Sequence, residues 1–148
     1  MHPIRALLTA VLVAAAFSAI PACARDCAPQ VRDGWLRLPP GPMPMLAGFG
    51  RIENTCPTPV TIVRVSSPAF ADSSLHETRI VDGVSRMRAL PQLRIAPGDA
   101  ATLKPGGMHL MLMQARAPLK PGSKVAVEFA LQDGGTLRGE FVVRKAGE

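Results

Sequence analysis

The chain has 148 residues, of which 47% are hydrophobic, 19% charged and 4% aromatic, with a formal net charge of +6. This balance excludes a disordered chain, a coiled coil and a multi-domain enzyme. Thirteen Gly and fifteen Pro argue against a helix bundle, and one Trp with five Phe and no Tyr leaves little to line a large cofactor pocket.

Residues 1–24 read as a signal peptide. Arg5 gives a positive start, Ala6 to Ile20 form an apolar run, and Ala22-Cys23-Ala24 supply the small residues of a cleavage site. The run is too short for a comfortable membrane span. A second reading makes Cys23 a lipidated cysteine, since Ile20-Pro21-Ala22-Cys23 resembles a lipobox, although Pro21 fits poorly there. The expected mature product, residues 25–148, is one exported periplasmic domain. It would meet a membrane only through a partner or through a lipid at Cys23.

Turn formers then punctuate the chain every 8–12 residues, including Pro39-Pro40-Gly41, Asp82-Gly83, Pro97-Gly98-Asp99, Pro105-Gly106-Gly107 and Asp133-Gly134-Gly135. Between them the spacing predicts strands near Gly34–Leu38, Gly48–Asn54, Val60–Ser66, Ser74–Val81, Ser85–Ala89, Leu93–Ile95, Ala101–Leu103, His109–Gln114, Lys124–Leu131 and Thr136–Arg144. Val125, Val127, Phe129 and Leu131 share one face of their strand. Asp82-Gly83 is a two-residue hairpin signal, and residues 39–45 read as a surface loop. After the leader no window shows helical periodicity. The expected fold is an all-β antiparallel sandwich.

Cys27 and Cys56 are an even pair in an oxidising compartment and are expected to form a disulfide. No C-x-x-C redox motif is present. The basic residues are scattered, without the stripe and stacking aromatics of a nucleic-acid binder, so no nucleic-acid partner is expected.

Beyond the leader there are two histidines, His76 and His109, and six methionines. His76, Met87, His109 and Met111 form the pattern H-x10-M-x21-H-x-M. His109 and Met111, at i and i+2, project from one strand face, which leaves Leu110 and Leu112 for the core. His76 and Met87 fall on the two arms of the Asp82-Gly83 hairpin. Imidazole and thioether form a soft, neutral donor set. It lacks the carboxylates that Mg2+ or Ca2+ need and the thiolates common at zinc sites. It suits Cu(I), and without thiolate the ion can leave, which points to a carrier and not a catalyst. Isolated methionines are commonly core fillers, the simpler reading for Met43, Met45, Met108 and Met113. Met113 nevertheless shares the His109 face, and Met43 and Met45 stand where a loop could cover the site.

This pattern resembles the signature of the periplasmic copper chaperones of the PCuAC family. The likeness extends through Phe49-Gly50-Arg51-Ile52-Glu53-Asn54-Thr55, Val65-Ser66-Ser67-Pro68-Ala69, Leu75-His76-Glu77-Thr78 and the run from Leu103 to Met113, and spans about Gly34 to Val143. The resemblance implies a cupredoxin-like β-sandwich and one Cu(I) held by His76, Met87, His109 and Met111. It also implies delivery of copper towards the Cu-A centre of cytochrome c oxidase, to an oxidase subunit or a Sco-type thiol protein. Glu77 stands where some relatives have Met. No His- and Met-rich tail precedes Glu148, so a tail-based second site is not expected. Copper storage or tolerance is an alternative. So is an electron-transfer cupredoxin, which would need a thiolate beside the His-Met cluster. No nucleophile or paired-acid motif supports an enzyme.

Overall fold

The computed structural model describes residues 27–147. The leader expectation for residues 1–24, with Cys23, lies outside the described residues. Ten strands follow in chain order: β1 (Gln30–Arg37), β2 (Met45–Glu53), β3 (Val60–Ser66), β4 (Phe70–Val81), β5 (Val84–Ala89), β6 (Leu93–Ile95), β7 (Ala100–Leu103), β8 (Met108–Ala115), β9 (Lys124–Leu131) and β10 (Thr136–Arg144). Each covers a stretch marked by the sequence pattern. Met45 opens β2, so the expected loop closes one residue early. Among the described residues no helix is long and apolar enough to cross a membrane.

The strands form one sheet in the order β5-β4-β8-β2-β1-β10-β9-β3-β6, with β7 pairing β2. β3 packs back against β4, so the sheet closes over its own apolar face. That face carries Leu36, Leu46, Leu75, Leu110, Leu112, Val127, Phe129, Phe141 and Val143, all buried in one cluster. Val125, Val127 and Phe129 are buried as alternation requires, and Leu131 packs at the margin. One junction departs from antiparallel pairing. β1 and β10 run parallel, with Trp35 opposite Val142 and Arg37 opposite Arg144. Parallel neighbours need a long connection, and here nearly the whole domain separates the two strands.

A bulge in β1 redirects its side chains. The β1–β2 register shifts by one between Arg32 and Trp35, and Asp33 has φ 51°. A one-residue slip reverses which face each later side chain occupies. Val31 therefore packs on the core, yet two positions beyond Asp33 the chain has changed face: Leu36 is the inward residue, and Trp35 faces out.

Cys27 and Cys56 are joined, with Cα atoms 5.4 Å apart, as expected. Chain-entropy reasoning for a loop of this length gives about 3–4 kcal/mol of stabilisation. A Cys27→Ser/Cys56→Ser variant should unfold at a correspondingly lower urea midpoint with its circular dichroism spectrum at zero urea unchanged.

Candidate metal centre

His76, Met87, His109 and Met111 come from three adjacent strands and share the sheet face opposite the core. Asp82 and Gly83 turn the β4–β5 hairpin with φ of 52° and 75°, the left-handed pair of a type I′ turn. The turn sets the register: Met87 lies opposite Thr78, and His76 opposite Ala89. Met87 is thus a diagonal neighbour of His76, two pairs closer to the turn. On the other side of β4, His76 lies opposite His109, and Ser74 opposite Met111. The two imidazoles are 6.1 Å apart between ring centres, with Met87 on one side of this pair and Met111 on the other.

The hydrogen bonds define which lone pairs are available. His109 Nδ1 is 2.9 Å from the Gly107 carbonyl oxygen. A carbonyl only accepts, so Nδ1 carries the proton and Nε2 carries a lone pair. The backbone N–H of Thr78 donates to the same oxygen at 3.1 Å, tying the loop before β8 to the hairpin arm. His109 Nε2 lies 3.2 Å from Met87 Sδ. Neither atom has a proton to give, so this is a meeting of two donor lone pairs. Nitrogen and sulfur ligands at about 2.0 and 2.3 Å from one tetrahedral ion would stand roughly 3.5 Å apart, so little movement is needed to share an ion. His76 Nε2 contacts Ser74 Oγ at 3.0 Å, while its Nδ1 is buried without a hydrogen-bond partner. A buried nitrogen without a partner is costly, and binding an ion would relieve it.

Burial grades the set. His109 is 9% exposed and Met87 52%, so the cluster has an anchored inner side chain and an accessible outer one. Burial, then the neighbouring His109, hold the His76 pKa below 6.5, with Asp72 acting in the opposite direction. A cavity of about 240 Å³ is lined by residues including Met45, Phe49, Met87, His109 and Met111.

The remaining methionines divide between roles. Met108 packs against the core, the filler reading. Met45 and Met113 lie opposite each other on the site face, and Met45 lines the cavity. Met43 is half exposed and lines a different cavity, with Leu38, Pro44 and Leu119. Sequence reasoning assigned no role to Phe49, which is 2% exposed yet outside the core cluster. It forms part of the cavity wall, packed on Trp35 with ring centres 4.6 Å apart. The bulge in β1 creates this outward pair and no sequence motif announces it.

Residues 30–143 match the family model described as LpqE-like lipoproteins. Lxx21020 of Leifsonia xyli subsp. xyli, named as a lipoprotein, is 36% identical over 108 residues, 72% of this chain. The chain spans 64% of that relative's length. Among solved structures, Cu(I)-loaded DR1885 from Deinococcus radiodurans is 29% identical with a TM-score of 0.66, covering 86% of this chain and 85% of that one. The copper-bound PCuAC domain of PmoF2 is 17% identical with a TM-score of 0.64, covering 79% of this chain and 92% of that one, a likeness of fold. The chain belongs to the LpqE-like family and has the cupredoxin-like β fold of the PCuAC domains.

Proposed function

We propose that this protein is an exported copper chaperone which binds one Cu(I) through His76, Met87, His109 and Met111 and releases it to an acceptor protein. The carrying observation is the approach of His109 Nε2 to Met87 Sδ at 3.2 Å, two unprotonated soft donors on one face with a second imidazole and a second thioether beside them. The copper-loaded relatives support the metal. The neutral donor set supports the monovalent ion, and the half-exposed Met87 supports release by stepwise ligand displacement. The role is that of a carrier and not a catalyst. Assembly of the Cu-A centre of cytochrome c oxidase, directly or through a Sco-type thiol protein, is the proposed destination. The lipoprotein names of the family and of Lxx21020 support export. They favour Cys23 as a lipid-bearing residue over simple cleavage beyond it, a choice that mass spectrometry of the mature N-terminus resolves. Anaerobic Cu(I) titration with X-ray absorption tests the site. One ion per chain with two nitrogen and two sulfur neighbours is expected, and oxygen-dominated or sub-stoichiometric binding refutes it.

Acid should weaken binding, because a proton and Cu(I) compete for the same imidazole lone pair. The lowered pKa of His76 means that proton competition at this ring sets in only below 6.5. Cu(I) affinity should be level above neutrality and fall as pH drops past that value. The same shift bears on the metal-free protein: the unfolded chain binds this proton more readily than the folded one, so His76 favours folding above pH 6.5 and that contribution is lost in acid. Chelator competition across pH 5–8 and the NMR titration of His76 measure both. Affinity constant down to pH 5, or a His76 midpoint above 6.5, contradicts this account.

A further inference from the structure

The sheet face that carries the His/Met cluster continues past it to two arginines. Arg144, Arg37, Ala47, Met111 and Ser74 stand opposite one another in register, forming a single row across five strands. Arg37 lines the cavity that Met87, His109 and Met111 also line. Strand spacing of about 4.8 Å places its Cα roughly 10 Å from that of Met111, two strands away.

Both guanidiniums lie over aromatic rings. Arg37 Cζ is 5.2 Å from the Phe49 ring centre and Arg144 Cζ is 5.3 Å from that of Trp35. Stacking of this kind holds the planar group flat while its N–H edge stays free for a planar acceptor. Six other cations are matched, Arg32 and Arg51 with Glu53, Arg79 and Arg88 with Glu77, Lys124 with Glu140, Arg138 with Glu128, whereas Arg64, Arg86, Arg94, Arg116, Lys104 and Lys120 have no such pair among the described residues. What sets Arg37 and Arg144 apart among the described residues is their seat on aromatic rings next to the cavity. Among the described residues neither Arg37 nor Arg144 has a carboxylate partner. Like charges directly opposite on neighbouring strands are destabilising, and here they are held together on the Met111 side of the cluster.

We propose that Arg37 and Arg144, seated on Phe49 and Trp35, are the docking point for an acidic protein, whose paired carboxylates bring its copper-accepting site against Met87 and Met111. This deepens the chaperone reading and rests on it. The forks offer bidentate carboxylate recognition. Ile80, 70% exposed, lies on the same face near Met87 and supplies an apolar contact at the opposite margin. Bound Cu(I) in a neutral ligand set adds a positive charge to this face, so the loaded protein attracts an acidic acceptor more strongly than the empty one. That difference favours encounter before transfer and separation after it.

Trp35 is the only tryptophan of the chain and reports directly on the proposed contact. Three peptides of one length are used, each carrying the same central dithiol and flanked by Glu, Gln or Lys. With metal-free protein at low salt, the Glu peptide should change Trp35 emission saturably, and the Gln and Lys peptides should not. With Cu(I)-loaded protein, the Glu peptide should extract copper at least tenfold faster than the Gln peptide, an advantage that fades at high salt. Arg37→Gln/Arg144→Gln should abolish both effects with Cu(I) affinity unchanged, and Arg37→Lys/Arg144→Lys should keep most of the rate advantage. Equal rates for the Glu and Gln peptides overturn the proposal, as does a loss of Cu(I) affinity in the glutamine variant. A Trp35 response to phosphatidylglycerol vesicles but not to the Glu peptide also overturns it, in favour of a membrane surface. Should the protein bind no Cu(I), the chaperone reading fails, and the metal-free titration still decides the docking claim.

Discussion

A His109→Ala/Met111→Ala variant is expected to lose Cu(I) binding by at least about 1000-fold, equivalent to roughly 4 kcal/mol, while remaining folded. The reason lies in how β8 is built. His109 Nδ1 is fixed by the Gly107 carbonyl, which presents Nε2 towards Met87, and Met111 stands two residues further on the same face. Removing both leaves His76 and Met87, one imidazole and one thioether on the hairpin, with no ligand from the strand beside it. Leu110 and Leu112, fully buried between and beyond them, continue to hold β8 to the core, so circular dichroism should change little. Met108→Leu is the matched control. Its side chain packs on the core, the volume is conserved, and the expected cost is below about 1.5 kcal/mol with copper binding intact. Equal copper retention by the double alanine variant would falsify the ligand assignment.

The second large effect concerns Asn54, at the end of β2 and fully buried. Its Nδ2 donates to the carbonyls of Thr58, Ile95 and Ala96 at 2.9, 3.1 and 3.2 Å, and its Oδ1 accepts from the Cys56 N–H at 3.1 Å. Its backbone also exchanges bonds with Asp99 and Gly98. One side chain thus ties the disulfide loop to the segment following β6. Asn54→Ala strands several buried polar groups, each costing about 1–3 kcal/mol when left unsatisfied. Partial rearrangement should leave a net loss of about 3 kcal/mol, seen as a melting temperature lower by roughly 10 °C. Copper stoichiometry should not change, because Asn54 contributes nothing to the His/Met face. A melting temperature within about 2 °C of the parent protein would show that these contacts are replaceable.

The alternative of an electron-transfer cupredoxin meets a chemical obstacle in the Cys27–Cys56 bond. Blue copper needs a thiolate beside two imidazoles, and among the described residues both cysteines are consumed in the disulfide. An intense visible charge-transfer band in copper-loaded protein is therefore not expected.

Much of the fold was legible from local chemistry. Ten strands followed from alternation and from turn residues, since strand periodicity and Gly or Pro placement act within a few residues. The Asp82-Gly83 hairpin and the shared face of His109 and Met111 follow in the same way. The order H-x10-M-x21-H-x-M selects a soft, neutral donor set before any fold is known. The exact partner across β4 and β5 was not legible. The Asp82-Gly83 signal puts His76 and Met87 on opposite arms, but the register is set by the turn geometry, which places Thr78 opposite Met87.

What the sequence determined by itself was the class of structure and the chemical character of the candidate donors, because both depend on side-chain type and short spacings. Only the tertiary structure decided which distant groups meet. His76 lies opposite His109 because β4 and β8 pair across more than thirty residues of chain. Arg144 stands beside Arg37 because β10 pairs with β1 in parallel, joining the two ends of the domain. Trp35 faces outward onto Phe49 because a single bulge at Asp33 inverts the alternation that would have sent it into the core. Each outcome is a matter of long-range register, which is settled by the fit of the whole core and not by the residues on either side.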